Sequence, residues 1–235
     1  MSTGAQQTGV WQTLRNEAGV LDLLLLFSVP VVLLGTMTLS QSIRVSLAFE
    51  YTNPSLRTAF TSSFIHLSPG HLLLNLVAYS LVVTIGLSLS LLSGTQRRFR
   101  IAFVTLVVLS PFILPYLNLP ILRRSLSVGF SGVLMALYGY LPFALATYLQ
   151  NQFDIGESRH TAPLVFFVGL AIITGLVLGA VFSHPVSVPV RGQMVPVRPV
   201  LVGTLASLFL ALMLVVLLYS LSLSDEWDEL RRKLV

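Results

Sequence analysis

The sequence predicts an all-α membrane protein, a bundle of six transmembrane helices forming one domain. Three observations carry this. Of the 235 residues 54% are hydrophobic and only 10% charged, where a soluble domain carries roughly 25% charged residues. The mean hydropathy is +0.85. Six apolar runs each reach the length needed to cross a bilayer. The same numbers exclude an ordinary cytosolic enzyme and a disordered chain, and the lack of any cysteine excludes a disulfide scaffold.

The expected domain limits are a polar tail over residues 1–19, the six-span domain over 20–223 and a short amphipathic tail over 224–235. The first span is expected over Val20–Ser40 and the second over His71–Leu92, joined by a long connection rich in Ser and Thr. The third, Ile101–Asn118, contains Pro111 and Pro115 and is expected to kink or end early. The fourth runs over Ser131–Leu149, the fifth over Leu164–Phe182 and the sixth over Val200–Leu223. Between the last two, HPVSVPVRGQMVPVRP has four prolines and alternating valines, which reads as extended chain. Gly169, Gly175 and Gly179 in the fifth span read as a close helix contact.

The net charge of +5 comes from 14 cations, 13 of them arginines, against 9 acids. The arginines fall in ones, twos and threes between apolar segments and form no basic face, so no nucleic-acid partner is expected. With the N-terminus inside, eight cations lie on the cytoplasmic side and six outside. The Arg97, Arg98, Arg100 cluster and the basic C-terminus tilt the balance toward both termini being cytoplasmic. No basic leader adjoins an apolar core at the N-terminus, so no cleavable signal is expected. With no transit-type leader either, the expected location is the plasma membrane, as an integral multi-pass protein.

Acids are nearly absent at membrane depth: Asp22 stands at the start of the first span and the others lie in loops or tails. Ion-coupled carriers usually place carboxylates inside the bundle. The polar residues that do enter the spans are of another kind. In FIHLSPGHLLLN, His71 and Asn75 are four apart and share a helix face at the outer end of the second span. The fourth span opens with GFSG, placing Ser131 between Gly129 and Gly132 at the same predicted depth.

These residues and the order of the spans resemble the rhomboids, a family of six-span intramembrane serine proteases. The resemblance rests on His66, on His71 and Asn75, on Gly129-Phe-Ser131-Gly132 and on the pair Gly139–Tyr140, and covers about residues 20 to 223. It implies a rhomboid-like bundle in which Ser131 is the nucleophile, while His71, Asn75 and the serine's own backbone N–H stabilise the oxyanion. The chemistry fits those residue types. Peptide hydrolysis needs an activated nucleophile and donors fixed where negative charge develops. An imidazole and a carboxamide donate without a buried charge, and the glycines let backbone and substrate come close.

Two departures concern the base. Rhomboids carry a histidine in the sixth span, three residues before the first glycine of a G-x-x-x-G motif. The nearest match, Gly203–x-x-x–Ser207, puts Val200 there, and Gly175–x-x-x–Gly179 gives Ile172. Four residues after the serine, where the family usually has a tyrosine for that base to pack on, stands Met135. Valine accepts no proton, and an unassisted serine hydroxyl is a poor nucleophile. His184, at the outer end of the fifth span before Pro185, is the candidate for a displaced base. His66 reads as structural support of the first outer loop, and His160 as a solvated loop residue.

Three readings follow. The chain is an intramembrane serine endopeptidase cleaving transmembrane or juxtamembrane segments of membrane proteins; or a rhomboid-family pseudoprotease that binds such segments uncut; or a small permease or scaffold. Ser131, His71 and Asn75 together argue against the third, and the missing base sets the second against the first. The expected partners are transmembrane segments of other membrane proteins and the lipid bilayer. No cofactor and no metal site is expected, since no ligand spacing or phosphate loop is present. Oligomeric state leaves no mark on the sequence.

Overall fold

The computed structural model describes Leu14 and residues 17–118, 126–154, 157–183, 187–190, 193–196 and 198–222. In chain order the elements are α1 (Val20–Met37), α2 (Gln41–Ser46), β1 (Phe49–Glu50), α3 (Leu56–Ser62), α4 (Pro69–Leu92) and α5 (Gln96–Leu117). There follow β2 (Leu126–Ser127), α6 (Ser131–Tyr138), α7 (Leu141–Phe153), α8 (Ser158–Ser183), β3 (Ser187–Val190), β4 (Gln193–Pro196) and α9 (Arg198–Ser222). The fold is all-α, with six stretches long and apolar enough to cross a membrane: α1, α4, α5, α6 with α7, α8 and α9. The chain forms two compact units, residues 1–148 and 149–235.

The first unit contains both serine-site segments. Its core joins Val29 and Leu33 of α1, Leu72, Tyr79, Val83 and Leu87 of α4, Phe99 and Phe103 of α5, and Phe130, Val133 and Leu137 at α6. Lipid tails are as apolar as these side chains, so close packing and interhelical hydrogen bonds hold such helices together rather than escape from water. One of these bonds runs from the buried Tyr79 hydroxyl on α4 to the Leu25 carbonyl on α1, at 3.0 Å.

An ion pair fixes the opposite end of this unit from Ser131. Asp22 is fully buried, and Arg100 grips it with Nε and Nη2 on separate carboxylate oxygens, both at 2.8 Å. This requires α5 to begin at Gln96, earlier than the expected Ile101. Arg97, Arg98 and Arg100 therefore belong to a helix rather than to a loop, and Arg100 turns inward where a buried carboxylate awaits it. Asp22 also accepts from the Gly19 N–H at 2.9 Å, closing the start of α1.

Helix α5 runs through Pro111 and Pro115 to Leu117, so of the two expected outcomes, a kink or an early end, the early end does not occur. Both prolines are buried against neighbours, the setting in which such interruptions are tolerated in membranes. One further expectation needs correction. The fourth span is two helices meeting at Gly139–Tyr140. Pro142 sits at the second position of α7, where a missing N–H costs nothing, but it would break a helix continuing from α6.

In the second unit α8 and α9 pack along one another, and a Cβ at Gly175 would stand 3.2 Å from the Phe209 ring. Between them β3 and β4 pair antiparallel, Ser187 opposite Pro196 and Val190 opposite Gln193. The expected extended chain is thus a hairpin. The tail over 224–235 lies outside the described residues.

Candidate active site

The connection between α1 and α4 and the chain leading into α6 build the site. Ser68 caps α4, its hydroxyl accepting from the His71 N–H at 3.3 Å, and Pro69 occupies the first helical position. His71 is thereby held in the first turn of α4. Asn75 follows one turn later, buried, with its Nδ2 donating to the His71 carbonyl at 2.9 Å. One amide hydrogen is spent there and the second is free for another acceptor.

The GFSG segment is held on three sides. The Gly129 N–H donates to the Ser62 carbonyl at 2.9 Å. The Phe130 N–H donates to Nε2 of His66 at 3.5 Å. The Phe130 ring is fully buried between Phe64 and Tyr79, with centroids 5.7 and 6.0 Å away. Ser131 comes next as the first residue of α6, exposed, its backbone N–H among the donors a helix start leaves unbonded.

His71 meets this segment at Gly129. That glycine has φ +114°, and a Cβ on it would lie 2.5 Å from Cε1 and 3.1 Å from Nε2 of His71. Only glycine serves there, for its backbone conformation and for the space. Gly132 is likewise closed in: a Cβ would stand 2.9 Å from Cδ1 of Leu114 on α5. The structure therefore brings together His66, His71, Gly129 and Ser131's segment, with the two imidazole centroids 5.0 Å apart.

His66 is almost wholly buried. Its Nε2 accepts from Phe130, so a neutral ring carries its proton on Nδ1. Burial, with the neighbouring His71 adding to it and the Phe64 carbonyl opposing, pulls the His66 pKa down from 6.5 to about 4. At neutral pH this ring is an uncharged prop under the serine segment. Its own carbonyl accepts from Nη1 of Arg44 at 2.8 Å, tying α2 to the same corner.

Of the candidates, His184 lies outside the described residues, and Val200 stands near the start of α9. Met135 is half exposed on α6. Sequence reasoning passed over Ser62, Phe130 and Arg44. The first acts through a backbone carbonyl, which no side-chain pattern reveals, and the other two read as an ordinary apolar residue and a loop charge. Among the described residues no group of acids, histidines or cysteines could hold a metal ion.

Comparison with known proteins gives a family match. The family model described as Rhomboid domain fits residues 53–194, a span holding the α3–α4 connection, all of α4 and α5 and the GFSG segment. No curated protein and no solved structure matches the chain. A match over more than half of the sequence, on the segments that build this corner, is decisive: the chain belongs to the rhomboid family.

Proposed function

We propose that this rhomboid-family protein is an intramembrane serine endopeptidase that cuts transmembrane or juxtamembrane segments of other membrane proteins. The observation that carries this is the seating of the His71 imidazole against Gly129, two residues before the exposed Ser131 at a helix start. In this reading Ser131 Oγ attacks the scissile carbonyl and its proton passes to a base. The oxyanion is met by the Ser131 N–H, an imidazole N–H of His71 and the second amide hydrogen of Asn75. Collapse of the adduct expels the amine, which takes the proton, and water then releases the acyl group from Ser131. His184 is the base in this scheme. His66 is unsuited to the role, because its Nε2 is already engaged with Phe130 and its basicity is depressed.

A second reading, a pseudoprotease that binds transmembrane segments without cutting them, is favoured by Val200 and by the half-exposed Met135 where rhomboids usually have a histidine and a tyrosine. Labelling the detergent-solubilised protein with a fluorophosphonate separates the two. Wild type that labels while Ser131→Ala does not supports the protease. Wild type as inert as Ser131→Ala supports the pseudoprotease.

A further inference from the structure

A cavity of about 480 Å³ is lined by none of the catalytic candidates. It is formed by the connection between α1 and α4 together with β2, and its walls include Glu50, Asn53, Ser46, Ser55, Thr58 and Leu126. Glu50 is an exposed carboxylate whose recorded partner is a neutral hydroxyl, that of Thr52 at 2.7 Å. Among the described residues of this unit the other acids are Glu17 and Asp22. Asp22 is spent on Arg100, and Glu17 accepts from Gln96 beside it. Glu50 is therefore the one described carboxylate at the Ser131 end. Of the cations of this connection, Arg44 is turned away onto the His66 carbonyl and the Met37 sulfur, while Arg57 stands exposed on α3 between the wall residues Ser55 and Thr58.

The cavity is joined to the catalytic segment by backbone. β1 pairs with β2 so that Glu50 faces Leu126 and Phe49 faces Ser127. From Leu126 the chain reaches Ser131 in five residues, at most about 17 Å at the rise of an extended chain. A polypeptide with its scissile bond at Ser131 can thus reach the cavity with a residue four or five positions away. We propose that this cavity binds an arginine or lysine side chain in the juxtamembrane segment of the bound polypeptide, and so selects among partners. The carboxylate takes the charge, the oxygens of Asn53, Ser46 and Ser55 take further N–H groups, and Leu126 covers the apolar stem. The inference rests on the reading that the chain binds transmembrane segments at Ser131, whether or not it cuts them.

The test uses the full chain with Ser131→Ala, in nanodiscs of phosphatidylcholine and phosphatidylglycerol, so that binding is read without cleavage. The probes are single-span fluorescent peptides that differ only in Arg, Gln or Glu five residues from a fixed cleavage-competent position. The Arg peptide is expected to bind about two- to five-fold more tightly than the Gln peptide, the range of a solvent-exposed ion pair. Glu50→Gln should bring that ratio to one, and Glu50→Arg should reverse it in favour of the Glu peptide. An unchanged ratio in Glu50→Gln, or no reversal in Glu50→Arg, overturns the proposal. A Glu50→Gln change that alters only the response to added phosphatidylethanolamine makes this a lipid site and equally overturns it. If no peptide binds, the proposal falls together with the reading beneath it. Fluorophosphonate labelling of wild type reports separately: an unlabelled protein that still prefers arginine keeps the cation site, and a labelled one without the preference loses only that site.

Discussion

The imidazole of His71 lies against Cα of Gly129, so close that a Cβ there would stand 2.5 Å from Cε1. Two segments 58 residues apart in sequence are thus locked by the absence of one side chain. Gly129→Ala should therefore act twice, through strain at φ +114° and through collision with the ring. The strain alone costs about 1–3 kcal/mol. Melting of the purified protein should show a loss of at least that size. Adding His71→Ala should recover the collision part and leave the strain. If the double variant melts no higher than the single one, the contact does not hold this corner.

The pair Asp22–Arg100, a buried carboxylate held by a part-exposed guanidinium, gives a second, independent expectation. Removing one partner of a buried ion pair leaves a charge without compensation, which is far worse than removing both. Arg100→Gln should lower stability by about 3 kcal/mol, and Asp22→Asn with Arg100→Gln should restore most of it. Thermal or denaturant unfolding in detergent measures both. Equal losses in single and double variants would show that the pair contributes nothing specific.

How much of this was legible beforehand depends on the kind of interaction. The six spans were readable because apolar runs of spanning length have few other uses; α4 begins two residues before the expected His71, but α8 begins at Ser158, six residues before the expected Leu164. The proximity of His71 to the GFSG segment was readable because polar side chains at membrane depth are costly and stand out. The Asp22–Arg100 pair was not, since it joins residues 78 apart that read separately as a span start and a loop cluster. Nor was the clamp of Ser62 on Gly129, which is backbone to backbone. The division of the fourth span at Gly139–Tyr140 had a local signal, Pro142, but continuous apolarity masked it.

His66 makes the fold sensitive to acid. Its pKa is about 4 in the fold against 6.5 in the open chain. Between those values the unfolded chain binds more protons than the native one, so stability rises with pH across this window and falls as pH drops from 6.5 toward 4. The full effect is at most about 3 kcal/mol and vanishes above pH 7. His66→Gln keeps an acceptor for the Phe130 N–H but does not titrate. Wild type should lose melting temperature between pH 6.5 and 4 more steeply than His66→Gln. Parallel pH profiles would refute a neutral, buried His66.

Asn75 spends one amide hydrogen on the His71 carbonyl and has one left. Asn75→Ala should cost the fold about 1 kcal/mol, the worth of an ordinary hydrogen bond. In an active enzyme it should slow cleavage of a transmembrane reporter by about 100- to 1,000-fold, the usual loss for one oxyanion donor. A variant that cuts as fast as wild type would remove Asn75 from the oxyanion site. One that fails to fold would make it a structural residue.

The base decides between protease and pseudoprotease, and two substitutions separate them. An active Ser131 must hand its proton to something. In its own unit the described imidazoles are His66, engaged with Phe130, and His71, needed as a donor. His184, outside the described residues, follows Ser183 directly in sequence. If it is the base, His184→Ala should lower reporter cleavage by several orders of magnitude, as loss of a catalytic histidine does, while leaving the melting temperature unchanged. Cleavage at the wild-type rate would exclude it. Val200→His restores the residue that rhomboids usually carry in the sixth span. If wild type is inert and Val200→His both labels with fluorophosphonate and cuts the reporter, the remaining site is intact and the chain is a rhomboid that has lost only its base. If wild type is active and His184→Ala is not, proton transfer has moved from the sixth span to the loop before it, and Val200 needs no replacement.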